Sequence, residues 1–275
     1  MNQIGVLVTM HRDTDILHEM QKVKDMGCHC CQLTIWDTSL HTEENAIAIL
    51  DACAKTGVEI STLWAGWVGP TIWNFTEGPT TLGIVPEQYR ARRTEQLMQG
   101  ADFAARLGVK RMATHVGFLP ENCTDPTYPA ILETLKRIVD HCKEKGVTFL
   151  FETGQETPVT LLRVIEDLGG EGVGINMDTG NLILYGKANS ADAITVFGKY
   201  VMDTHIKDGL YPTSGKELGE EVAVGKGMAN IPEVVKRLQA VGYTGNYIIE
   251  REISGEEQTR DIKATIAYLK EILES

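Results

Sequence analysis

Eight times along this chain a short apolar run gives way to a stretch with helical spacing, and this alternation limits the fold more than any other feature. The strand candidates are residues 3–8, 30–35, 58–63, 110–115, 147–152, 173–178, 200–205 and 246–250. Helical periodicity is found at 15–26, 43–55, 87–107, 127–145, 159–168, about 191–198, 231–241 and 256–273. Glycine stands near the helix ends, as at Gly57, Gly108, Gly146, Gly169 and Gly242, where a left-handed cap is common. Strand–helix pairs repeated across 275 residues predict a (β/α)8 TIM barrel, a single domain over residues 1–275. An open doubly wound sheet would show a glycine-rich phosphate turn after its first strand, and Thr9-Met10-His11-Arg12 supplies none. Two long loops, residues 64–86 and about 207–230, each follow a strand and so belong to the end of a barrel where active sites form.

The formal net charge of −12 argues against nucleic acid as a partner, because a sequence-independent grip on phosphate backbone needs a basic face. It also disfavours multiply phosphorylated substrates. No apolar run approaches the ~20 residues of a membrane span, so no membrane partner is expected. The first residues lack a basic segment followed by a cleavage site and read as a first strand, which makes the cytoplasm the expected compartment. The cluster Cys28-His29-Cys30-Cys31 could suggest zinc. Alternate residues of a strand point to opposite faces, however, so these side chains cannot converge on one ion and are read as free thiols.

Four of the strand candidates end on a metal-capable side chain: Glu152, Asp178, His205 and Glu250. Strands of a parallel barrel are buried on both faces, so an ionisable residue at the end of an apolar run requires a reason. Neighbouring strands would bring three carboxylates and one imidazole to one rim. Such an oxygen-rich set with a single nitrogen suits one divalent metal ion, Mn2+, Mg2+, Co2+ or Zn2+.

The segments Phe151-Glu152-Thr153-Gly154, Asn176-Met177-Asp178-Thr179-Gly180-Asn181, His205-Ile206-Lys207-Asp208 and the stretch from Gly242 to Glu252 resemble the xylose-isomerase-like barrel superfamily. Within it the chain is most similar to the sugar isomerase and epimerase group that contains ketose 3-epimerases and inosose dehydratases. The resemblance covers the whole chain. It implies one divalent ion, manganese first, held by Glu152, Asp178, His205 and Glu250, with Glu152 and Glu250 also acting as the acid and base. The chemistry is coherent. A metal that chelates a ketone and its neighbouring hydroxyl stabilises the enediolate left when the proton between them is removed. Carboxylates on opposite faces can take a proton from one side and return one to the other. If a hydroxyl β to the carbonyl leaves instead, the same ligand set serves a dehydratase or lyase of a keto-inositol or 3-keto-sugar. The implied substrate is therefore a small sugar or keto-sugar, and relatives of this kind are often homodimers or homotetramers.

Several other residues are candidates for the pocket. His115, at the end of the fourth strand, could donate to a substrate oxygen. Glu156 loosely matches a second glutamate that touches sugar hydroxyls in related enzymes, or is a helix-start carboxylate. Asn181 stands where many relatives carry a substrate-touching histidine. Lys207 shares the side of the strand occupied by His205, where it could polarise a carbonyl or protonate a leaving group, or else pair with Asp208 in a loop. Glu252 lies farther out, as a rim residue. Trp64, Trp67 and Trp73 cluster in the third loop, with Trp36 nearby, and aromatic faces stack on the C–H faces of sugars. Gly225 and Gly227 read as turn residues, because a phosphate cradle needs more backbone nitrogens at a helix start. Two readings compete with a sugar enzyme. An apurinic endonuclease would carry further histidines, and residues 206–230 contain none. A non-catalytic sugar-binding barrel would be marked by a lost ligand, and none is lost.

Overall fold

The computed structural model describes residues 2–274. Among them ten strands form: β1 (Ile4–Thr9), β2 (Cys30–Ile35), β3 (Glu59–Ala65), β4 (Arg111–Thr114), β5 (Thr148–Glu152), β6 (Val173–Asp178), β7 (Val201–Ile206), β8 (Asp208–Gly209), β9 (Glu221–Val222) and β10 (Tyr247–Ile249). The helices are α1 (Ile16–Asp25), α2 (Glu43–Thr56), α3 (Gly78–Thr81), α4 (Glu87–Arg106), α5 (Tyr128–Glu144), α6 (Pro158–Asp167), α7 (Thr179–Leu184), α8 (Ser190–Phe197), α9 (Ile231–Ala240) and α10 (Glu256–Glu274). Strands β1 to β7 and β10 close into a parallel barrel in the order β1-β10-β7-β6-β5-β4-β3-β2. The fold is the expected (β/α)8 TIM barrel.

Local chemistry sets the element ends. Thr42 caps α2 by accepting from the Asn45 N–H, with Glu43 and Glu44 in the first turn to oppose the helix dipole. Asp15 caps α1 in the same way, through the His18 N–H. Residues of β2 and β6 are buried along their whole length, as strands covered by helices outside and by packed side chains inside must be. The main core lies between barrel and helices, with Leu33, Ile49, Leu97, Phe149 and Ile175 among its buried members.

The differences from the sequence expectation sit in the connections. Helix α7 begins directly after β6, capped by Asp178, and was not expected. Residue Trp64 belongs to β3 and not to the loop after it. The loop after β7 contains the antiparallel ribbon β8–β9, pairing Asp208 with Val222 and Gly209 with Glu221. The two long loops also meet: Asn74 bridges Glu217, and the Phe75 N–H donates to the Lys216 carbonyl at 2.9 Å. These features depend on long-range partners, which local periodicity does not report.

One buried cation organises the loop after β3. Arg93, on α4, is fully buried and has no carboxylate partner among the described residues. Its guanidinium donates to the carbonyls of Thr81 (2.6 Å), Gly83 (2.7 Å), Pro70 (3.0 Å) and Val68 (3.2 Å). It also stacks between Tyr89 and Trp67, at 4.5 and 5.4 Å from the ring centres. Four carbonyls are thereby drawn to one point, which folds the loop back over the barrel and places Trp73 at its mouth. Arg93→Met should lower stability in urea unfolding by about 3 kcal/mol, because several carbonyls lose their donor. A loss below about 1 kcal/mol would show that the loop holds its shape without this residue.

Candidate metal centre

Strands β5, β6, β7 and β10 are consecutive neighbours in the barrel, so the residues at their ends share one rim. Asp178 pairs with His205 across β6 and β7, and Glu250 follows β10 directly. One ligand atom from each of Glu152, Asp178, His205 and Glu250 lies within 4.8 Å of every other. His205 Nδ1 is 2.8 Å from Glu152 Oε1, 3.2 Å from Glu250 Oε2 and 3.9 Å from Asp178 Oδ2.

The surroundings fix the orientation of the imidazole. The Asn176 amide donates to Glu152 Oε2. Gln32 Nε2 donates to Asn176 Oδ1 at 2.7 Å. Gln32 Oε1 is thus left to accept from His205 Nε2, 2.8 Å away. This run of donors puts a proton on Nε2 and turns Nδ1 toward the carboxylates. Burial would lower the imidazole pKa, but Glu152 and Glu250 beside it raise it well above its usual value, so Nδ1 carries a second proton that a bound metal would displace. His205 Nδ1 and Asp178 Oδ2 are buried and face each other across the cluster, with charged groups beside each: Glu152 and Glu250 at Nδ1, Lys207 at Oδ2. Two such atoms, with two further carboxylates beside them, fit a hard divalent cation.

Sequence reasoning missed Gln32 and Asn176. The available signal was a fully polar amide inside each of two strands buried on both faces. Asn176 also lies two residues before Asp178 and so shares its side of β6.

Lys207 is buried and does not line the cavity. Its Nζ sits 2.7 Å from Glu252 Oε1, 2.9 Å from Asp178 Oδ2 and 3.0 Å from Glu250 Oε2. Asp208, the partner considered from sequence, instead accepts four backbone N–H groups. Burial pushes the Asp178 carboxyl well up, and Lys207 offsets this only in part. Burial would also raise Glu250, but Lys207 and His205 beside it hold it well below the usual carboxylate range.

A cavity of about 460 Å³ opens above this cluster. Glu152, His205 and Glu250 form part of its wall, together with His115, Asn181, Trp36, Trp64, Trp73, Tyr185 and Glu252. His115 is kept neutral by burial, and its Nδ1 is without a hydrogen-bond partner. Its ring meets those of Trp64 and Trp73 edge-on at 5.7 and 5.3 Å. Trp36 stands at the centre of the aromatic wall, 4.6 Å from Trp64, 5.2 Å from Trp67 and 6.2 Å from Trp73. Two further expected substrate contacts, besides Lys207, lie off this wall. Trp67 is buried between Trp36 and Arg93, and supports the wall from behind. Glu156 is buried with both carboxylate oxygens unpartnered, and burial pushes its pKa up to about 8.

The xylose isomerase-like TIM barrel family pattern matches residues 20–272, and the chain belongs to that family. A solved xylose isomerase domain protein of Planctomyces limnophilus is 29% identical, with a TM-score of 0.90 over 98% of this chain and 97% of that one. An uncharacterized protein of Methanocaldococcus jannaschii is 25% identical over 68% of this chain and 64% of its own length. The inosose dehydratase of Geobacillus thermodenitrificans is 24% identical over 47% of this chain and 48% of its own. The chain thus spans just under two thirds of the first of these curated relatives and just under half of the second. Two further solved structures share the fold: an L-ribulose 3-epimerase (18% identity, TM-score 0.70, covering 100% of this chain and 95% of that one) and a xylose isomerase-like protein of Mycobacterium smegmatis in complex with magnesium (17%, 0.70, 95% and 90%). No helix among the described residues is long and apolar enough to cross a membrane.

Two outcomes follow from the electrostatics. Lys207→Met removes the buried cation that balances Asp178 and Glu250, and should cost the metal-free protein about 3–5 kcal/mol in urea unfolding. Saturating Mn2+ should restore most of that loss, because it supplies positive charge to the same carboxylates. An equal deficit with and without metal would show that Lys207 acts through packing alone. Glu156 titrates near 8 folded against 4.5 unfolded, so its contribution to stability is complete below pH 4.5 and is lost as pH rises through 8. Glu156→Gln abolishes that loss. Relative to the wild type, the variant should gain up to about 1.4 kcal/mol per pH unit across this window and then level off, as read from unfolding midpoints at each pH.

Proposed function

We propose that this chain is a divalent-metal-dependent sugar isomerase or epimerase that moves a proton at a carbon next to a carbonyl. The observation that carries this reading is the placement of Glu152 and Glu250. They come from β5 and β10, the outer two of the four strands, and flank His205 at 2.8 and 3.2 Å. Both reach the cavity wall.

Glu152, Asp178, His205 and Glu250 would hold the ion, manganese being the one proposed. A divalent ion there supplies Lewis acidity toward a carbonyl and its neighbouring hydroxyl, and stabilises the negative charge that develops as the proton leaves. The chain's own groups do the rest. Lys207 keeps Glu250 ionised and anchors its Oε2, which readies that carboxylate to accept a proton. Asn176 holds Glu152 Oε2, so that Oε1 is directed toward the centre. A carboxylate on either side of a planar intermediate can remove a proton from one face and return one to the other, which inverts the carbon. Neutral His115 on the wall can hydrogen-bond a substrate oxygen, and the tryptophan wall covers an apolar sugar face and excludes water.

A second reading, loss of a hydroxyl β to the carbonyl of a keto-inositol or 3-keto-sugar, is favoured by Asn181. This residue lies on the cavity wall where many epimerases of this kind carry a histidine. The match to an inosose dehydratase supports it as well.

Proton exchange distinguishes these readings. Protein supplied with Mn2+ in D2O should place deuterium beside the carbonyl of one member of a panel of free ketoses, keto-inositols and 3-keto-glycosides. NMR of the product then separates an epimer from an alkene. Glu152→Gln and Glu250→Gln should each slow this exchange by about 100- to 10,000-fold. Near-wild-type exchange in either variant would overturn the two-carboxylate assignment.

A further inference from the structure

Barrels that bind phosphorylated substrates commonly seat the phosphate on amide groups of the loops after the seventh and eighth barrel strands. The corresponding amides of this chain are already taken. After β7, Asp208 is buried and its carboxylate accepts from the N–H groups of Gly209 (2.9 Å), Ala229 (2.9 Å), Gly225 (3.0 Å) and Gly227 (3.0 Å). This is an anion nest filled by the chain's own anion. It is closed to any larger group, since even a Cβ added at Gly227 would fall 2.3 Å from Asp208 Oδ1. After β10, the Glu252 N–H donates to both carboxylate oxygens of Glu221, each at 3.1 Å. After β6, the Asn181 N–H at the start of α7 is taken by Asp178 Oδ1 at 2.8 Å.

The side chains repeat the pattern. Among the described residues, Arg251 is the one lysine or arginine on the cavity wall. Its guanidinium lies 3.0 Å from Glu221 Oε2 and 3.0 Å from Asp261 Oδ2. Lys207 is enclosed by Asp178, Glu250 and Glu252. Around the cavity, Glu152, Asp178, Glu221, Glu250, Glu252 and Asp261 therefore face two cations. A bound divalent ion would still leave negative charge in excess, and an anionic ligand entering this field is repelled.

We infer that the ligand of this site is an uncharged keto-sugar or keto-cyclitol, bearing neither phosphate nor carboxylate. The inference rests on the proposed function above. It assigns Asp208 and Glu221 as specificity-determining residues: they occupy, with carboxylates of the chain, the amides and the arginine that a phosphate would use.

The test pairs a binding arm with a turnover arm. In the binding arm, Mg2+-loaded protein is titrated calorimetrically with inorganic phosphate and with fructose phosphate. The wild type should show no saturable binding of either at millimolar concentration. Glu221→Ala, which frees the Glu252 N–H and leaves Arg251 with Asp261 as its one remaining carboxylate, should gain at least about tenfold in affinity for both. Saturable wild-type binding, or no gain in the variant, would overturn the inference, whatever the turnover arm shows. In the turnover arm, deuterium exchange is compared between uncharged ketones and their phosphate esters. Exchange confined to uncharged members supports the inference, and faster exchange in an ester overturns it. Silence from the whole panel counts against the proposed function, and the phosphate titration still decides the inference.

Discussion

The placement of three carboxylates in one buried cluster is the constraint around which this structure is arranged. Glu152 and Asp178 are almost wholly withdrawn from water, and Glu250 is nearly so. Charges so placed repel one another and lose hydration, a state a chain holds only with compensating groups. Lys207 compensates from the protein side, touching Asp178 and Glu250 from below the cavity. The amide chain of Asn176 and Gln32 compensates from another, satisfying Glu152 and orienting His205. Between His205 Nδ1 and Asp178 Oδ2, 3.9 Å apart, lies the space that a divalent cation could fill.

The barrel and the loops divide the work. Strands β5, β6, β7 and β10 deliver the four candidate ligands with little freedom, because their register is set by neighbouring strands on both sides. The loops shape the cavity, and each is held by a single buried polar residue as well as by buried apolar side chains such as Leu82 and Ile84. Arg93 gathers carbonyls under the loop after β3, and Asp208 gathers N–H groups under the loop after β7. One is a donor hub and the other an acceptor hub. Each satisfies backbone groups that an irregular segment would otherwise leave unpaired. The two loops then join through Phe75 and Lys216, so the aromatic wall and the acidic rim are held in one frame.

Most of the barrel was legible in the sequence, because strand period, helix period and helix-end glycine are local signals. The four candidate ligands were legible for a related reason: a charged residue at the end of an apolar strand conflicts with its surroundings, and such conflicts mark function. Residues acting across the barrel were harder to see. Gln32 reaches Asn176 over 144 positions of sequence, and Arg93 looks like any exposed arginine on a helix until its acceptors are known. Lys207 was noticed, but its partners could not be foreseen. Sequence adjacency suggested Asp208, whereas strand geometry turns Lys207 toward β6 and β10 and Asp208 toward the following loop. Neighbours in a strand face opposite ways, so the residue two positions away, His205, was the better guide to where Lys207 points.

The two halves of His205-Ile206-Lys207-Asp208 therefore answer different chemical questions with one strand end. His205 and Lys207 face the centre, where each sets a nitrogen against the carboxylates. Asp208 faces away and closes the loop over its own carboxylate. A barrel that held an ion but left those amides free would attract anions to the same mouth, and an anion beside the ion competes for it. By filling the nest from within, the chain would leave a bound ion as the dominant attraction for a ligand oxygen. A carbonyl and its neighbouring hydroxyl can meet that requirement without bringing a charge into an acidic cavity.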